Sequence, residues 1–280
     1  VARTTPTNFS DRRSAAAGSS GSARTAAGPE ISAERLSHDV RILASDPFGG
    51  RAPGTPGETR TVEWLVGELQ AIGLEPGGPD GQWTQAVPLL RTQLGAGSLS
   101  ASAGGTTLPL DMGQDIYLST LRPVSEIAVA QAPMVFVGYG VTAPERGWDD
   151  FKGADLTGKV AVFLINDPDF RSAESDEAAG KFGGQAMTYY GRWTYKFEEA
   201  ARRGAIAALI VHDTDGAGYG WSTVTAPGGE NYDVAGATNR LALQGWLSGS
   251  AAERLFTAAG HDLATLRTDA GTPAFRPVEL

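Results

Sequence analysis

Apolar positions recur at helical spacing in two early stretches of the chain. In the first, Leu36, Val40 and Leu43 follow Ser32, a residue suited to capping a helix start, and Asp46-Pro47-Phe48-Gly49-Gly50 ends the run. In the second, Thr55-Pro56-Gly57-Glu58 is a capping box with proline at the first helical position. Val62, Leu65, Val66, Leu69 and Ile72 then form one stripe, and Gly73 supplies a left-handed stop. Beyond a Pro/Gly turn at 76–81 the period changes from 3.6 to 2. Strands are predicted over 83–90, 97–102, 106–110, 124–130, 133–141 and 159–165. A helix over about 193–203 stops at Gly204 and feeds an apolar strand, 205–211. Ser250-Ala-Ala-Glu253 reads as a second capping box, with Leu255 and Phe256 facing inward and Gly260 as the stop. A short helix over about 262–267 follows, and the last residues, from Phe275, read as the start of a strand. No internal repeat is visible.

Residues 1–30 contain almost no large apolar side chain and are rich in Ala, Ser, Gly, Thr and Arg, so they cannot bury enough surface to offset the entropy of ordering. They are expected to be a disordered linker or a processed extension; Asn8-Phe9-Ser10 within them matches a glycosylation sequon. A helical piece over about 31–75 and a strand-rich body over about 83–280 complete the chain. For the body the pattern predicts a β-sandwich or partly open barrel with helices on its flank, an α+β class.

Composition narrows the function classes. The 280 residues carry a net charge of −9, and residues 1–30 carry +2 of it, which leaves the rest at −11. So acidic a surface repels phosphate backbones, and nucleic acid is not an expected partner. The absence of cysteine excludes a disulfide scaffold, a thiol nucleophile and a thiolate zinc site. The longest purely apolar run, 205–211, is far shorter than the ~18 residues of a membrane span.

Several patterns suggest chemistry and then fail on spacing. Each histidine precedes an aspartate, in His38-Asp39, His212-Asp213 and His261-Asp262. Adjacent side chains diverge on both helices and strands, so these pairs read as polar residues at element ends rather than metal ligands. Gly138-Tyr-Gly140-Val-Thr-Ala143 fits a dinucleotide fingerprint, but Pro144 and a polar turn follow where a helix must begin. No G-x-S-x-G, P-loop or H-E-x-x-H occurs. The acid pairs Asp149-Asp150 and Glu198-Glu199 read as solvated surface, the second with Arg202 and Arg203 at ion-pair spacing. The segment Tyr189-Tyr-Gly-Arg-Trp-Thr-Tyr195 differs: four aromatics and an arginine in seven residues are typical of a recognition surface. Tyr190 and Arg192 are therefore the candidate residues of a substrate groove.

Six runs, taken together, carry a resemblance. They are Leu43-Ala-Ser-Asp-Pro-Phe-Gly-Gly-Arg-Ala-Pro-Gly-Thr55, Val135-Phe-Val-Gly-Tyr-Gly-Val141, Asp155-Leu-Thr-Gly-Lys-Val160, Tyr190-Gly-Arg-Trp-Thr-Tyr-Lys196, Ala201-Arg-Arg-Gly-Ala205 and Val211-His-Asp213. Over about residues 31–280 the chain resembles the N-terminal portion of bacterial aminopeptidase / glutamate-carboxypeptidase-type zinc peptidases of clan MH. The resemblance implies that 31–110 is the leading segment of an α/β peptidase domain. It further implies that 111–280 is an inserted protease-associated (PA) domain, a strand-rich sandwich or open barrel. Two zinc ions, held by ligands outside this chain, would serve the parent protein, with a glutamate as general base. The family's H-x-D motif is missing, so no catalytic or metal residue can be assigned to any position here. The implied parent is a secreted or periplasmic exopeptidase acting on peptides, whose PA domain shapes substrate access and whose partner is the remainder of the peptidase domain. The alternative is a stand-alone, non-catalytic PA-type module that binds peptide or protein.

Overall fold

The computed structural model describes residues 31–238 and 240–280; the segment expected to be disordered, 1–30, with its Asn8 sequon, lies outside the described residues. The chain divides into two compact units, Val1–Gln85 and Ala86–Leu280. The pattern and the resemblance placed the changes of character near 75–83 and at 110.

In the first unit, α1 (Ala33–Leu43) is capped by Ser32, whose Oγ accepts from the Arg35 amide at 3.2 Å. A single 3-10 turn, Asp46–Phe48, leads to α2 (Pro56–Ala71). Thr55 Oγ1 accepts from the Glu58 amide at 3.3 Å, and the Glu58 carboxylate reaches back one residue further than a standard box, to the Gly54 amide at 2.6 Å. Arg35 and Glu68 tie the helices at 2.8 Å. Neither helix buries a large apolar side chain. Leu36 and Val40 are 55% and 65% exposed, and Val62, Leu65, Leu69 and Ile72 are 36–56% exposed.

The second unit runs β1 (Leu89–Gln93), β2 (Ser100–Ala103), β3 (Thr106–Pro109), β4 (Ile116–Ser119), β5 (Met134–Phe136), β6 (Thr142–Ala143), β7 (Trp148–Asp149) and β8 (Val160–Leu164). Then come α3 (Trp193–Arg202), β9 (Ala207–Val211), α4 (Thr214–Ala217), α5 (Trp221–Thr225), β10 (Glu230–Val234), β11 (Leu243–Leu247), α6 (Gly249–Ala258), α7 (Leu263–Ala270) and β12 (Val278–Glu279). Six strands form one mixed sheet in the order β12-β5-β8-β9-β11-β4. The four central strands are parallel, and the two edge strands are antiparallel to them. Three two-stranded ribbons, β1-β10, β2-β3 and β6-β7, surround it.

The strand period of two sorts the sheet's side chains into two cores. On one face Phe136, Val162, Leu164, Leu209, Val211 and Leu247 pack with Ala252, Leu255 and Phe256 of α6 and Leu263 of α7. Phe136 stands edge-on between Phe256 and Phe275, at centroid distances of 5.1 and 5.7 Å. On the other face Val135, Val137, Ala161, Phe163, Ala208, Ile210 and Trp246 pack with Phe197 and Ala200 of α3 and Val224 of α5.

The α+β class holds, but the body is not a sandwich or barrel. One largely parallel sheet lies between two helical layers, because strands such as Val160–Leu164 and Ala207–Val211 are apolar on both sides. Other expectations shift. No strand forms over 124–130, the first body strand begins at Leu89, and the helix start expected at Ser250 belongs to Ser248, whose Oγ accepts from the Ala251 amide at 3.2 Å. The sequence pattern missed β4, β10 and β11, and the short β6 and β7. In β11 the polar Gln244 and Gly245 mask an otherwise buried strand, and the glycine has a packing reason. A Cβ there would lie 1.9 Å from the Tyr117 carbonyl oxygen of β4. Among the described residues no helix is long and apolar enough to cross a membrane.

Candidate functional site

The aromatic segment closes a long excursion, 166–192, that leaves the end of β8 and returns at the start of α3. Tyr189, Arg192 and Trp193 are exposed, Tyr190 is half-buried and Tyr195 is buried. The rings of Tyr189, Tyr190 and Tyr195 contact one another edge-on at 5.3–6.0 Å, and Tyr190 also meets Phe182 at 6.0 Å. The Arg146 guanidinium lies over Phe182 and Tyr190, at 5.2 and 5.6 Å. Tyr190 donates its hydroxyl proton to Glu145 Oε1 at 2.8 Å, and Tyr189 donates to Glu198 at 3.1 Å. The carboxylate acceptor, with some burial, raises the Tyr190 pKa, and the same hydrogen bond lowers that of Glu145. Tyr190 thus sits among aromatic rings under the Arg146 guanidinium with its hydroxyl engaged, and Arg192 lies exposed two residues further on.

Beneath this surface lies a buried polar cluster that the sequence did not reveal. Lys196 of α3 is fully enclosed, and its Nζ donates to the Tyr139 carbonyl at 2.6 Å and the Asn166 carbonyl at 3.0 Å. Burial lowers its pKa from 10.5 to about 7, against the raising effect of the Asp167 and Asp150 charges. Asp150 is buried as well, contrary to the solvated reading of the Asp149-Asp150 pair. Its Oδ2 accepts from the Val141 amide at 2.8 Å and its Oδ1 from Trp148 Nε1 at 2.7 Å. Burial raises its pKa to about 7. Only Asp149 is exposed, where it caps the amides of Phe151 and Lys152. The Glu198-Glu199 pair also splits. Glu199 is buried and receives both Arg202 and Arg203, and Arg203 stacks 3.6 Å from the Phe151 ring centroid. In both pairs a charged residue moved inside because its partners came from other elements or the next helical turn.

The histidines do not converge. His38 lies exposed on α1, His212 is buried after β9 with Nε2 3.0 Å from the Tyr219 carbonyl, and His261 stands between α6 and α7 with Nε2 3.2 Å from the Glu279 carbonyl. Their aspartates have structural partners. Asp213 caps α4 and pairs with Arg171 at 2.5 Å and Arg267 at 3.0 Å, and Asp262 caps α7. Burial pushes the Asp213 pKa up, but the two arginines outweigh it and the net shift is downward. Among the described residues no group of three or more potential ligands is placed to hold a metal ion. The Gly138–Ala143 run turns at Gly138 and Gly140, both at positive φ, and ends in β6; a 3-10 turn at Pro144–Arg146 follows rather than an α-helix N-terminus.

No family model matches the chain. No curated protein matches it either. Among solved structures it is similar to an aminopeptidase from Aneurinibacillus sp. strain AM-1, at 17% identity and a TM-score of 0.32 over 80% of this chain. The chain spans 40% of the length of that structure.

Proposed function

We propose that this chain supplies the leading helices and the substrate-covering, strand-rich domain of a secreted or periplasmic zinc-dependent exopeptidase. In this reading residues 31–110 begin the peptidase domain and 111–280 form its PA-type domain. Tyr190 and Arg192 line the groove along which a peptide reaches the reacting centre. The six sequence runs that resemble the peptidase family support the reading. The observation that carries it is the apolar side of the first unit. Isolated helices of this length are marginal in water and draw their stability from docking an apolar face. Yet Leu36, Val40, Leu65 and Ile72 are 42–65% exposed. Two well-capped helices whose apolar side is bare among the described residues are parts of a larger packing unit.

The residues described here do not fit a zinc ion, since the three histidines lie in separate elements and two of them face backbone carbonyls. No step through the metal is derived from them. What this chain's own residues can do is bind. Aromatic faces and the Arg192 guanidinium suit a peptide backbone and its carboxylates.

The test is hydrolysis of aminoacyl-nitroanilide and dipeptide substrates by the full product of the gene, with and without a zinc chelator. Terminal-residue release that chelation abolishes and zinc restores is the expected result. The 280-residue chain alone should show neither turnover nor stoichiometric zinc. A gene product that binds peptides without cleaving them would replace the exopeptidase reading with that of a non-catalytic binding module.

A further inference from the structure

We infer that Lys196, buried and remote from solvent, is the residue that positions Tyr190 and Arg192. It does so by clamping the two loops that leave the ends of β5 and β8. The inference rests on the groove reading for its functional meaning, but its geometry stands apart from it.

The clamp is a short chain of contacts. Lys196 Nζ donates to the carbonyl of Tyr139, just past β5, and to that of Asn166, just past β8. Asn166 is held in the left-handed region, at φ 78°, and its side chain anchors it further, with Nδ2 donating to the Gly216 carbonyl at 2.8 Å. Asn166 then passes the constraint to the aromatic segment, because its amide donates to the Gly191 carbonyl at 3.2 Å. Next to it, Asp167 accepts from both the amide and the hydroxyl of Thr188, at 2.6 and 2.9 Å. The segment 188–191 is therefore pinned at both ends by residues 166 and 167. The seat is tight: a Cβ on Gly191 would lie 3.0 Å from Asp167 Oδ1 and 3.1 Å from the Asn166 carbonyl carbon. Tyr190 and Arg192 flank that glycine, so the position of Asn166 decides where both side chains emerge.

A residue without N–H donors cannot replace Lys196 here. Two carbonyl oxygens that face a buried donor lose it together, and buried acceptors left unpaired drive the backbone to rearrange. The backbone at Asn166 is already in a sparsely populated conformation that the surroundings must hold in place. The core strands β8 and β9 are held on both faces by apolar packing, so a rearrangement at Asn166 falls on the excursion 166–192.

The experiment is amide hydrogen exchange on the 280-residue chain and its Lys196→Met variant, which keeps an unbranched side chain one atom shorter and removes the donors. Exchange over 188–192 should rise at least about tenfold while β8 and β9 change by no more than about twofold. Unchanged protection over 188–192 overturns the inference, and so does an equal acceleration in β8 and β9, since Lys196 would then support the whole body rather than this segment. Should Lys196→Met fail to fold, Lys196→Gln, whose shorter, uncharged amide NH2 ends one atom short of the Nζ position, is measured against the same two criteria. In a gene product that hydrolyses peptides, a Lys196 variant should raise KM and leave kcat near its original value. A gene product that neither hydrolyses nor binds peptides would remove the groove reading, and hydrogen exchange alone would then decide whether Lys196 positions the segment.

Discussion

Replacing Asp150 by asparagine tests whether the buried cluster has the electrostatics its surroundings imply. Asp150 is 1% exposed, and each of its oxygens accepts from a fixed N–H. Burial raises its pKa from 3.8 to about 7, against those hydrogen bonds and the charges of Lys196 and Lys152. The unfolded chain releases this proton near its ordinary value. Between about pH 4 and pH 7 the folded state therefore holds more protons than the unfolded one, and stability falls as pH rises through that window. At 1.36 kcal/mol per pKa unit the whole effect amounts to about 4 kcal/mol at most. Lys196 acts in the opposite sense. Its pKa is lowered by burial from 10.5 to about 7, so above pH 7 the unfolded chain binds the extra proton and stability rises again. Together the two groups place a dip in stability near neutrality. Asp150→Asn abolishes the acid limb and leaves the alkaline one. It also puts an amide NH2 against the Val141 amide or Trp148 Nε1, which costs about 1–3 kcal/mol. Urea unfolding of both proteins from about pH 5 to about pH 9 measures the difference, in which the other carboxylates cancel. The variant should be less stable at pH 5, and the gap should shrink by at least about 2 kcal/mol by pH 7. Parallel profiles across that interval refute the assignment.

Four further substitutions probe the packing and one helix cap. Phe256→Ala removes a fully buried ring that meets Phe136 edge-on, and should cost about 3–5 kcal/mol in urea unfolding. Gly245→Ala forces β4 and β11 apart at the Tyr117 carbonyl, and should cost about 1–3 kcal/mol, with faster exchange confined to β4 and β11. Ser248→Ala removes the cap of α6 and should cost about 1 kcal/mol, whereas Ser250→Ala, outside the cap, should stay within about 0.5 kcal/mol; equal effects in thermal melts would restore the cap to Ser250.

Local signals were legible in this sequence wherever a residue acts on its immediate neighbours. Ser32 and Thr55 cap their helices, and Gly73, Gly204 and Gly260 take the left-handed conformation their positions implied. The helix at Trp193–Arg202 and the strand after it lie within two residues of the pattern. The aromatic segment was also visible, because seven adjacent residues carry it. What the pattern could not supply was the layer arrangement. A continuous apolar strand is buried on both faces whether the cover is another sheet or a pair of helices, and a period of two does not distinguish them. Only the packing of α6 and α7 on one face, with α3 and α5 on the other, decided it. The same holds for charge. Asp149 and Asp150 are indistinguishable as a pair of acids, and Lys196 is one lysine on a helix. Tertiary structure sends Asp150 inward to Val141 and Trp148, and Lys196 to carbonyls at 139 and 166, because desolvating a charge is tolerable only where distant backbone groups converge to replace its water.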